Sequence, residues 1–135
     1  SQYKNQRIRL TVDDHFEKII SINCVAVASG RYFGGGMKVA PNAVLDDGLF
    51  DVVTIADMSA LEFVRHNKRI YSGNHLSLDQ ISVVRGSKVV AEPVGDGNVC
   101  IECDGELPGT LPASFELLPQ SIKLWAPWDR AEGLG

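Results

Sequence analysis

The sequence has few cysteines and no excess of positive charge. Its 135 residues include three cysteines, Cys24, Cys100 and Cys103, and its net charge is -4. An odd number of cysteines without a recognisable signal peptide favours a reducing compartment, so we expect a cytoplasmic protein. The acidic balance argues against a nucleic-acid partner, because the phosphate backbone attracts clustered Lys and Arg.

Long apolar runs are also missing. No stretch of the sequence approaches the roughly 18 apolar residues that a membrane-spanning helix needs. The first residue is Ser1 rather than Met, which indicates a piece of a longer protein, although cleavage of a tag would leave the same start. Hydrophobic residues make up 44% of the chain, enough for one core without a disulfide. We therefore expect a single domain over residues 1–135.

Most of the sequence is typical of short β-strands separated by Gly, Pro, Asn and Asp. Residues 7–12 alternate polar and apolar side chains as in a half-buried strand, whereas residues 19–28 are nearly all apolar, as in a central strand. Further strands are predicted at residues 50–55, 81–84, 88–91, 99–103, 114–118 and 121–125. This spacing favours a mainly β fold, a sandwich or a barrel.

One segment, residues 59–72, predicts an α-helix. Ser59 and Glu62 have the spacing of a capping box, and Gly73 is a typical C-terminal stop. We expect the helix to pack on the β body through an apolar stripe made of Leu61, Phe63, Val64, Ile70 and Tyr71. Basic residues crowd its last turns: Arg65, His66, Lys68 and Arg69. They predict a solvated helix face, with contact to anionic lipid or nucleotide phosphate as the alternative.

Three consecutive glycines, Gly34, Gly35 and Gly36, follow Arg31 closely. Glycine loses much backbone freedom on folding, so such a run usually marks a bulge, a positive-φ turn or a close approach to another group. The structural interpretation is a turn, and the functional one is a wall of backbone amides beside a ligand. No Gly-Lys-Ser/Thr follows, so the run is not a Walker loop.

An Asp-Gly turn at Asp46, Asp47 and Gly48 lies between apolar stretches. A plain turn explains this pattern. The alternative is a metal site, because carboxylate oxygens and inward-turned backbone carbonyls are the ligands that hard cations prefer.

A second acidic turn is formed by Asp104, Gly105 and Glu106, directly after Cys100 and Cys103. We do not expect the two cysteines to form a metal or redox pair, since residues three apart on a strand point to opposite faces. The acidic turn predicts either a hairpin with a solvated carboxylate or a carboxylate placed to accept a proton from a substrate hydroxyl.

Together these segments resemble a known family. Residues 30–37, 40–43, 45–53, 104–106 and 117–119 occur in the order and spacing of the C-terminal domain of the diacylglycerol, sphingosine and ceramide kinase superfamily, most closely its bacterial diacylglycerol kinase and lipid kinase branch. The resemblance covers about residues 20–125. It implies a two-sheet β-sandwich related to that of NAD kinases, behind an N-terminal nucleotide domain. It also implies transfer of the ATP γ-phosphoryl group to a lipid hydroxyl such as that of diacylglycerol.

The resemblance also implies roles for individual residues. Glu106 takes the place of the general base, and Asp104 helps to set the local field. Asp47 takes the place of a Mg²⁺ ligand, beside the backbone carbonyls of Val44 and Leu49, and the metal is expected to be mainly structural. We expect the substrate to approach a surface formed by Gly34, Gly35, Gly36 and Arg31.

One element of the family is not found in this sequence. Nothing matches the Gly-Gly-Asp-Gly-Thr/Ser loop that holds nucleotide phosphates, and we interpret residues 95–98 as a hairpin turn between two strands. We therefore expect ATP to be bound by a nucleotide domain that this chain lacks, and the chain alone to be inactive. A lipid substrate, that nucleotide domain and peripheral contact with the inner membrane face are the expected partners, and the oligomeric state is open.

Two other functions stay open at this point. One is a catalytically silent lipid-binding or regulatory module on the same fold. The other is a kinase for a soluble polyol, because fold-level analogy does not determine the acceptor.

Overall fold

A computed structural model describes residues 5–125, so residues 1–4 and 126–135 of the predicted domain lie outside the described part. Eight strands and two helices are found there: β1 Gln6–Val12, β2 Phe16–Ala28, β3 Phe50–Ala56, α1 Ala60–Ser72, the short 3₁₀ helix His75–Ser77, β4 Ile81–Gly86, β5 Lys88–Pro93, β6 Cys100–Cys103, β7 Glu106–Thr110 and β8 Ala113–Glu116. No helix of this part has the length and apolar character needed to span a membrane.

The strands form two antiparallel sheets. The larger has six strands in the order β4-β3-β2-β1-β5-β8, and the smaller is the β6–β7 hairpin. The predicted mainly β, two-sheet sandwich with one main helix is confirmed. The apolar run at residues 19–28 lies in β2, which is an interior strand as expected.

The two faces of the large sheet bury separate apolar clusters. Along β3, Val52 belongs to one cluster and Val53 to the other, because successive side chains of a strand point to opposite faces. One cluster contains Leu10 and Val89, and the other packs Ile70 of α1 and the alanines of the residue 40–43 loop against the sheet. The second cluster therefore fixes the helix and the loop that carries Asp47.

Two sequence predictions about strands and turns are wrong, and one strand was not predicted. Residues 121–125 form no strand, and within the described residues they pair with no neighbour, so Ile122 and Leu124 stay about four-fifths exposed, at 78% and 82%. The segment at residues 106–110 is a strand, β7, although it contains Pro108 and Gly109. Residues 95–98 are not a hairpin turn, because β5 and β6 lie in different sheets.

The helix has the predicted ends and a different buried face. Ser59 and Glu62 form the capping box, and Gly73 adopts the left-handed conformation at the C-terminus. Of the predicted stripe, Ile70 is the buried residue, whereas the remaining four are exposed: Leu61, Phe63, Val64 and Tyr71. The helix packs through Ile70 on the side opposite Leu61, so the expected packing stripe was wrong.

Candidate functional site

The Asp47 turn is carried by a loop anchored in the core. Ala40 and Ala43 are both 1% exposed, and the amide of Ala43 donates to the carbonyl of Ala40 at 3.0 Å. Gly48 has a φ of 74°, a conformation that glycine adopts without strain. The turn lets the amide of Leu49 donate to Oδ1 of Asp47 at 3.0 Å. One oxygen of the predicted metal ligand is thereby fixed by its own turn.

Arg85 joins this turn to the sheet. It lies directly opposite Asp51 in the β3–β4 pair, and its Nε donates to Asp51 Oδ1 at 2.8 Å. The same guanidinium contacts Oδ2 of Asp47. The hydrogen bond to Asp51 is the largest cause of a raised pKa for Arg85, and Asp47 adds to it. The three side chains form one charged network.

Sequence reasoning missed Arg85 and Asp51. Asp51 is only 2% exposed, and a buried carboxylate is costly unless a partner neutralises it. An aspartate inside the apolar run of β3 was therefore a signal that a cation lies nearby. Which cation follows only from the pairing of β3 with β4.

The Asp47 turn fits a divalent cation in part. Within residues 5–125 no group of three or more His, Cys, Asp or Glu is placed to hold a metal ion. A cation here would rely on the Asp47 carboxylate and on the backbone carbonyls of Val44 and Leu49, with water completing the shell, as Mg²⁺ commonly allows. It would also compete with the Arg85 guanidinium for Asp47.

The second acidic turn is the tip of the β6–β7 hairpin. Asp104 and Gly105 have φ values of 50° and 87°, and Cys103 pairs with Glu106 across the turn. Both carboxylates are exposed, and within residues 5–125 neither side chain has a hydrogen bond or an ion pair to another side chain. Nothing in the described part joins them to the Asp47 network. Glu106 is thus an uncommitted carboxylate at a strand end.

The two cysteines beside this turn are unpaired thiols. Cys24, Cys100 and Cys103 are all free and exposed. A bulge between Ile101 and Cys103 interrupts the regular alternation of β6. β6 is therefore not the regular strand on which the prediction of opposite faces for Cys100 and Cys103 depended.

The glycine run forms a small reversed loop. Phe33 and Met37 exchange backbone hydrogen bonds of 2.9 and 3.1 Å, and Gly34 and Gly36 have φ values of 49° and 91°. A Cβ on Gly36 would meet no other atom within 4 Å. Backbone conformation therefore explains these two glycines without a closely approaching protein group.

Two side chains brace the backbone next to this loop. Nε of Arg31 donates to the carbonyl of Ala43 at 3.1 Å, so the predicted substrate residue links the glycine loop to the Asp47 loop. Sequence reasoning missed His75, which is fully buried and donates through Nε2 to the carbonyl of Val39 at 2.8 Å. Its Nδ1 has no hydrogen-bond partner in the described part. The Arg31 bond thus ties the two loops together, and the His75 bond ties the segment between them to the 3₁₀ helix.

Several bacterial diacylglycerol and lipid kinases are similar to this chain in sequence. A diacylglycerol kinase of Mycobacterium tuberculosis is 29% identical over 119 residues, covering 88% of this chain and 38% of the relative. A diacylglycerol kinase of Bacillus subtilis is 30% identical over 101 residues, covering 75% of this chain and 33% of the relative. The chain thus spans little more than a third of the length of these relatives.

The structural comparison agrees on the fold. The crystal structure of a diacylglycerol kinase from Bacillus anthracis superposes with a TM-score of 0.64 at 18% identity, covering 87% of this chain and 41% of that one. The family model described as the YegS C-terminal NAD kinase beta sandwich-like domain matches residues 1–126. The chain therefore belongs to the YegS C-terminal, NAD kinase-like β-sandwich family, whose relatives include diacylglycerol kinases and YegS-like lipid kinases.

Proposed function

We propose that this chain is the substrate-side domain of an ATP-dependent lipid kinase, which phosphorylates a lipid hydroxyl such as that of diacylglycerol. The observation that carries the proposal is the family match over residues 1–126. The names of the M. tuberculosis and B. subtilis relatives support the acceptor class. Under this proposal the protein works at the cytoplasmic face of the membrane that holds the lipid.

Glu106 is the proposed general base. Phosphoryl transfer passes through a loose transition state, so the protein contributes mainly positioning and charge neutralisation. A carboxylate within hydrogen-bond reach of the acceptor hydroxyl orients it and takes its proton. Glu106 suits this role because it is exposed at the start of β7 and forms no hydrogen bond or ion pair with another side chain of residues 5–125. Asp104, two residues earlier, adds negative charge at the same turn.

Mg²⁺ is the proposed metal of the Asp47 loop, held by Asp47 and the carbonyls of Val44 and Leu49. A bound Mg²⁺ would supply positive charge that stabilises the Asp47 turn. The chain's own residues already do part of this work, because the single positive charge of Arg85 offsets part of the negative charge of Asp47 and Asp51. The proposed surface for the substrate is formed by Gly34, Gly35, Gly36 and Arg31. Arg31 contributes by holding the backbone of Ala43 in place through a hydrogen bond.

ATP is the proposed phosphoryl donor, bound mainly by a nucleotide domain outside this chain. A separate nucleotide domain is supported by the relative lengths, since the chain spans 38% of the length of the M. tuberculosis relative. The sequence shows no Gly-Gly-Asp-Gly-Thr/Ser loop. We therefore expect the chain alone to show no kinase activity.

The test of this function is product identification. The protein that contains this chain with a nucleotide domain is incubated with ATP, Mg²⁺ and a panel of acceptors: diacylglycerol, sphingosine, ceramide, and soluble polyols. We expect mass spectrometry to show a phosphorylated lipid and no phosphorylated polyol. Phosphorylation of a polyol alone would contradict the acceptor class, and no transfer to any acceptor would contradict the kinase.

A silent lipid-binding module is the second candidate. The observation that favours it is the exposed face of α1, which carries Leu61, Val64 and Lys68 and needs no catalytic carboxylate to meet lipid. This candidate predicts binding to lipid vesicles that ATP does not change, and no phosphorylated product in the same panel.

A further inference from the structure

The outward face of α1 is unusually apolar for a helix of a water-exposed surface. Leu61 and Val64 are 78% and 71% exposed, and Tyr71 is 47% exposed. Together with Lys68 they follow the spacing of one helix face. The opposite side carries Ile70, which is 2% exposed. The helix therefore packs on the sheet through one side and presents aliphatic and aromatic groups on the other.

The same outward face is basic. Arg65, Lys68 and Arg69 are exposed, and within residues 5–125 none of them forms an ion pair. Glu62, the one acidic residue of α1, is committed to the capping box, where its carboxylate accepts from the amide of Ser59 at 2.8 Å. Positive charge on this face is therefore uncompensated by the helix itself, in a chain whose net charge is -4.

The glycine loop continues this surface beyond the end of the helix. The amide of Lys38 donates to the carbonyl of Ile70 at 3.2 Å, and a Cβ on Gly73 would lie 3.0 Å from the Lys38 side chain. Lys38 also places its ammonium group 5.9 Å from the ring centre of Tyr32. Tyr32 and Phe33 are 60% and 48% exposed. Aromatic groups beside a cation are thus added to the helix face.

We infer that this surface, the docking face, binds an anionic lipid bilayer. It comprises Leu61, Val64, Arg65, Lys68, Arg69 and Tyr71 of α1 with Tyr32, Phe33 and Lys38 of the glycine loop. A helix with cations interleaved among aliphatic and aromatic groups suits the headgroup boundary, where apolar groups enter the acyl region and cations meet anionic headgroups. Tyrosine is also favoured there, because its ring is apolar and its hydroxyl stays wet.

Charge complementarity selects this occupant. The exposed charges of the outward face are of one sign, because its exposed charged residues are Arg65, Lys68 and Arg69. The inference also rests on the proposed function, because a kinase for a lipid alcohol must reach an acceptor that lies in a bilayer. The docking face would hold the glycine loop, and the Asp47 loop that Arg31 ties to it, against that bilayer.

The first experiment is vesicle flotation with the 135-residue chain. Phosphatidylcholine vesicles are compared with vesicles that also contain phosphatidylglycerol. We expect binding to the anionic vesicles only, and the double variant Arg65→Gln with Lys68→Gln should weaken it roughly 30-fold, from the typical contribution of each cation near a charged membrane. Glutamine retains helix propensity, and circular dichroism checks that α1 is intact.

The matched control removes two cations from the sheet instead. Arg7→Gln with Lys18→Gln changes the net charge equally, and both residues are exposed on β1 and β2. We expect the control variant to bind like the wild type. An equal loss in both double variants, or no wild-type binding to anionic vesicles, would overturn the docking face.

A second measurement separates this inference from the proposed function. In the longer protein, Arg65→Gln with Lys68→Gln should lower phosphorylation of vesicle-embedded diacylglycerol and leave that of a water-soluble short-chain diacylglycerol unchanged. Unchanged activity on both acceptors would overturn the docking face and leave the kinase standing. Specific vesicle binding without transfer to either acceptor would overturn the kinase and support the docking face.

Two other occupants give distinct outcomes. If a second copy covers the face, Leu61→Gln with Val64→Gln abolishes a dimer seen by sedimentation. If a nucleotide domain covers it, α1 in the longer protein resists trypsin at Arg65 and Lys68. Either result would overturn a bilayer as the occupant.

Discussion

The two acidic turns of this domain differ in how their carboxylates are held. At the Asp47 turn, Arg85 contacts the carboxylates of Asp47 and Asp51, and the amide of Leu49 donates a hydrogen bond to Asp47 as well. At the hairpin tip, Asp104 and Glu106 are exposed and, within residues 5–125, unpaired with any side chain. A braced carboxylate keeps a fixed position and a partly neutralised charge, whereas an unbraced one is free to meet a substrate hydroxyl. The difference supports a structural role for the first turn and a chemical role for the second.

The largest effect on folding is expected from removing the brace. Arg85→Ala leaves Asp51 buried without its cation, and we expect the free energy of unfolding to fall by about 2 kcal/mol, below the full cost of a wholly buried pair because Arg85 itself is partly exposed. Urea denaturation measures it. Arg9→Ala is the matched control, since the ion pairs of Arg9 are exposed and 3.8 Å long, and should cost under about 0.5 kcal/mol. Equal losses in Arg85→Ala and Arg9→Ala would mean that the network of Arg85, Asp47 and Asp51 stabilises the fold no more than an exposed ion pair does.

The next prediction concerns competition between Arg85 and Mg²⁺. Arg85→Gln frees Oδ2 of Asp47, so we expect Mg²⁺ to raise the melting temperature of this variant more than that of the wild type. Calorimetry with and without Mg²⁺ measures the difference. Adding Asp47→Asn to the variant should remove the Mg²⁺ effect. A Mg²⁺ response that persists without the Asp47 carboxylate would place the metal elsewhere.

A third braced carboxylate gives a prediction about pH. Backbone amides of Lys88 and Ser87 donate to Asp13, and the Lys88 bond is the largest cause of its lowered pKa. The folded state then binds fewer protons than the unfolded one, so stability is present above the unfolded value of about 3.9 and is lost as pH falls through the lower folded value. We expect denaturation midpoints of the wild type to fall more steeply there than those of Asp13→Asn. Parallel pH profiles would contradict this.

The smallest effect on folding is expected at the hairpin tip. Glu106→Gln and Asp104→Asn alter exposed side chains that form no hydrogen bond or ion pair with another side chain of residues 5–125, and should change the free energy of unfolding by less than about 0.5 kcal/mol. Denaturation in urea checks both variants beside Arg85→Ala. A large loss at Glu106 would show that it is a structural residue, and the comparison between the two turns would fail.

Local sequence signals predicted the elements whose causes are local. The capping box of Ser59 and Glu62, the Gly73 stop and the alternation in residues 7–12 all depend on neighbours within a few positions. Long-range pairing decided the rest. Residues 106–110 were not predicted as a strand, yet β6 pairs with them, whereas residues 121–125, which were predicted as a strand, pair with no strand of the described part.

The candidate site divides in the same way. The Asp47 and Asp104–Glu106 turns were found because Asp-Gly motifs are local, and their roles came from resemblance to a family. Arg85 was missed because it meets Asp51 and Asp47 only through the register of β3 and β4. The exposed stripe on α1 was misassigned because spacing identifies a helix face without saying which face is covered.

The most direct test of the central claim is the turnover of Glu106→Gln in the longer protein, with ATP and vesicle-embedded diacylglycerol. Glu102→Gln, an exposed change on the same hairpin, is the control. We expect Glu106→Gln to lose about 10²–10⁴-fold in turnover, with an unchanged melting temperature and wild-type turnover in the control. Wild-type turnover in Glu106→Gln would contradict its assignment as the general base.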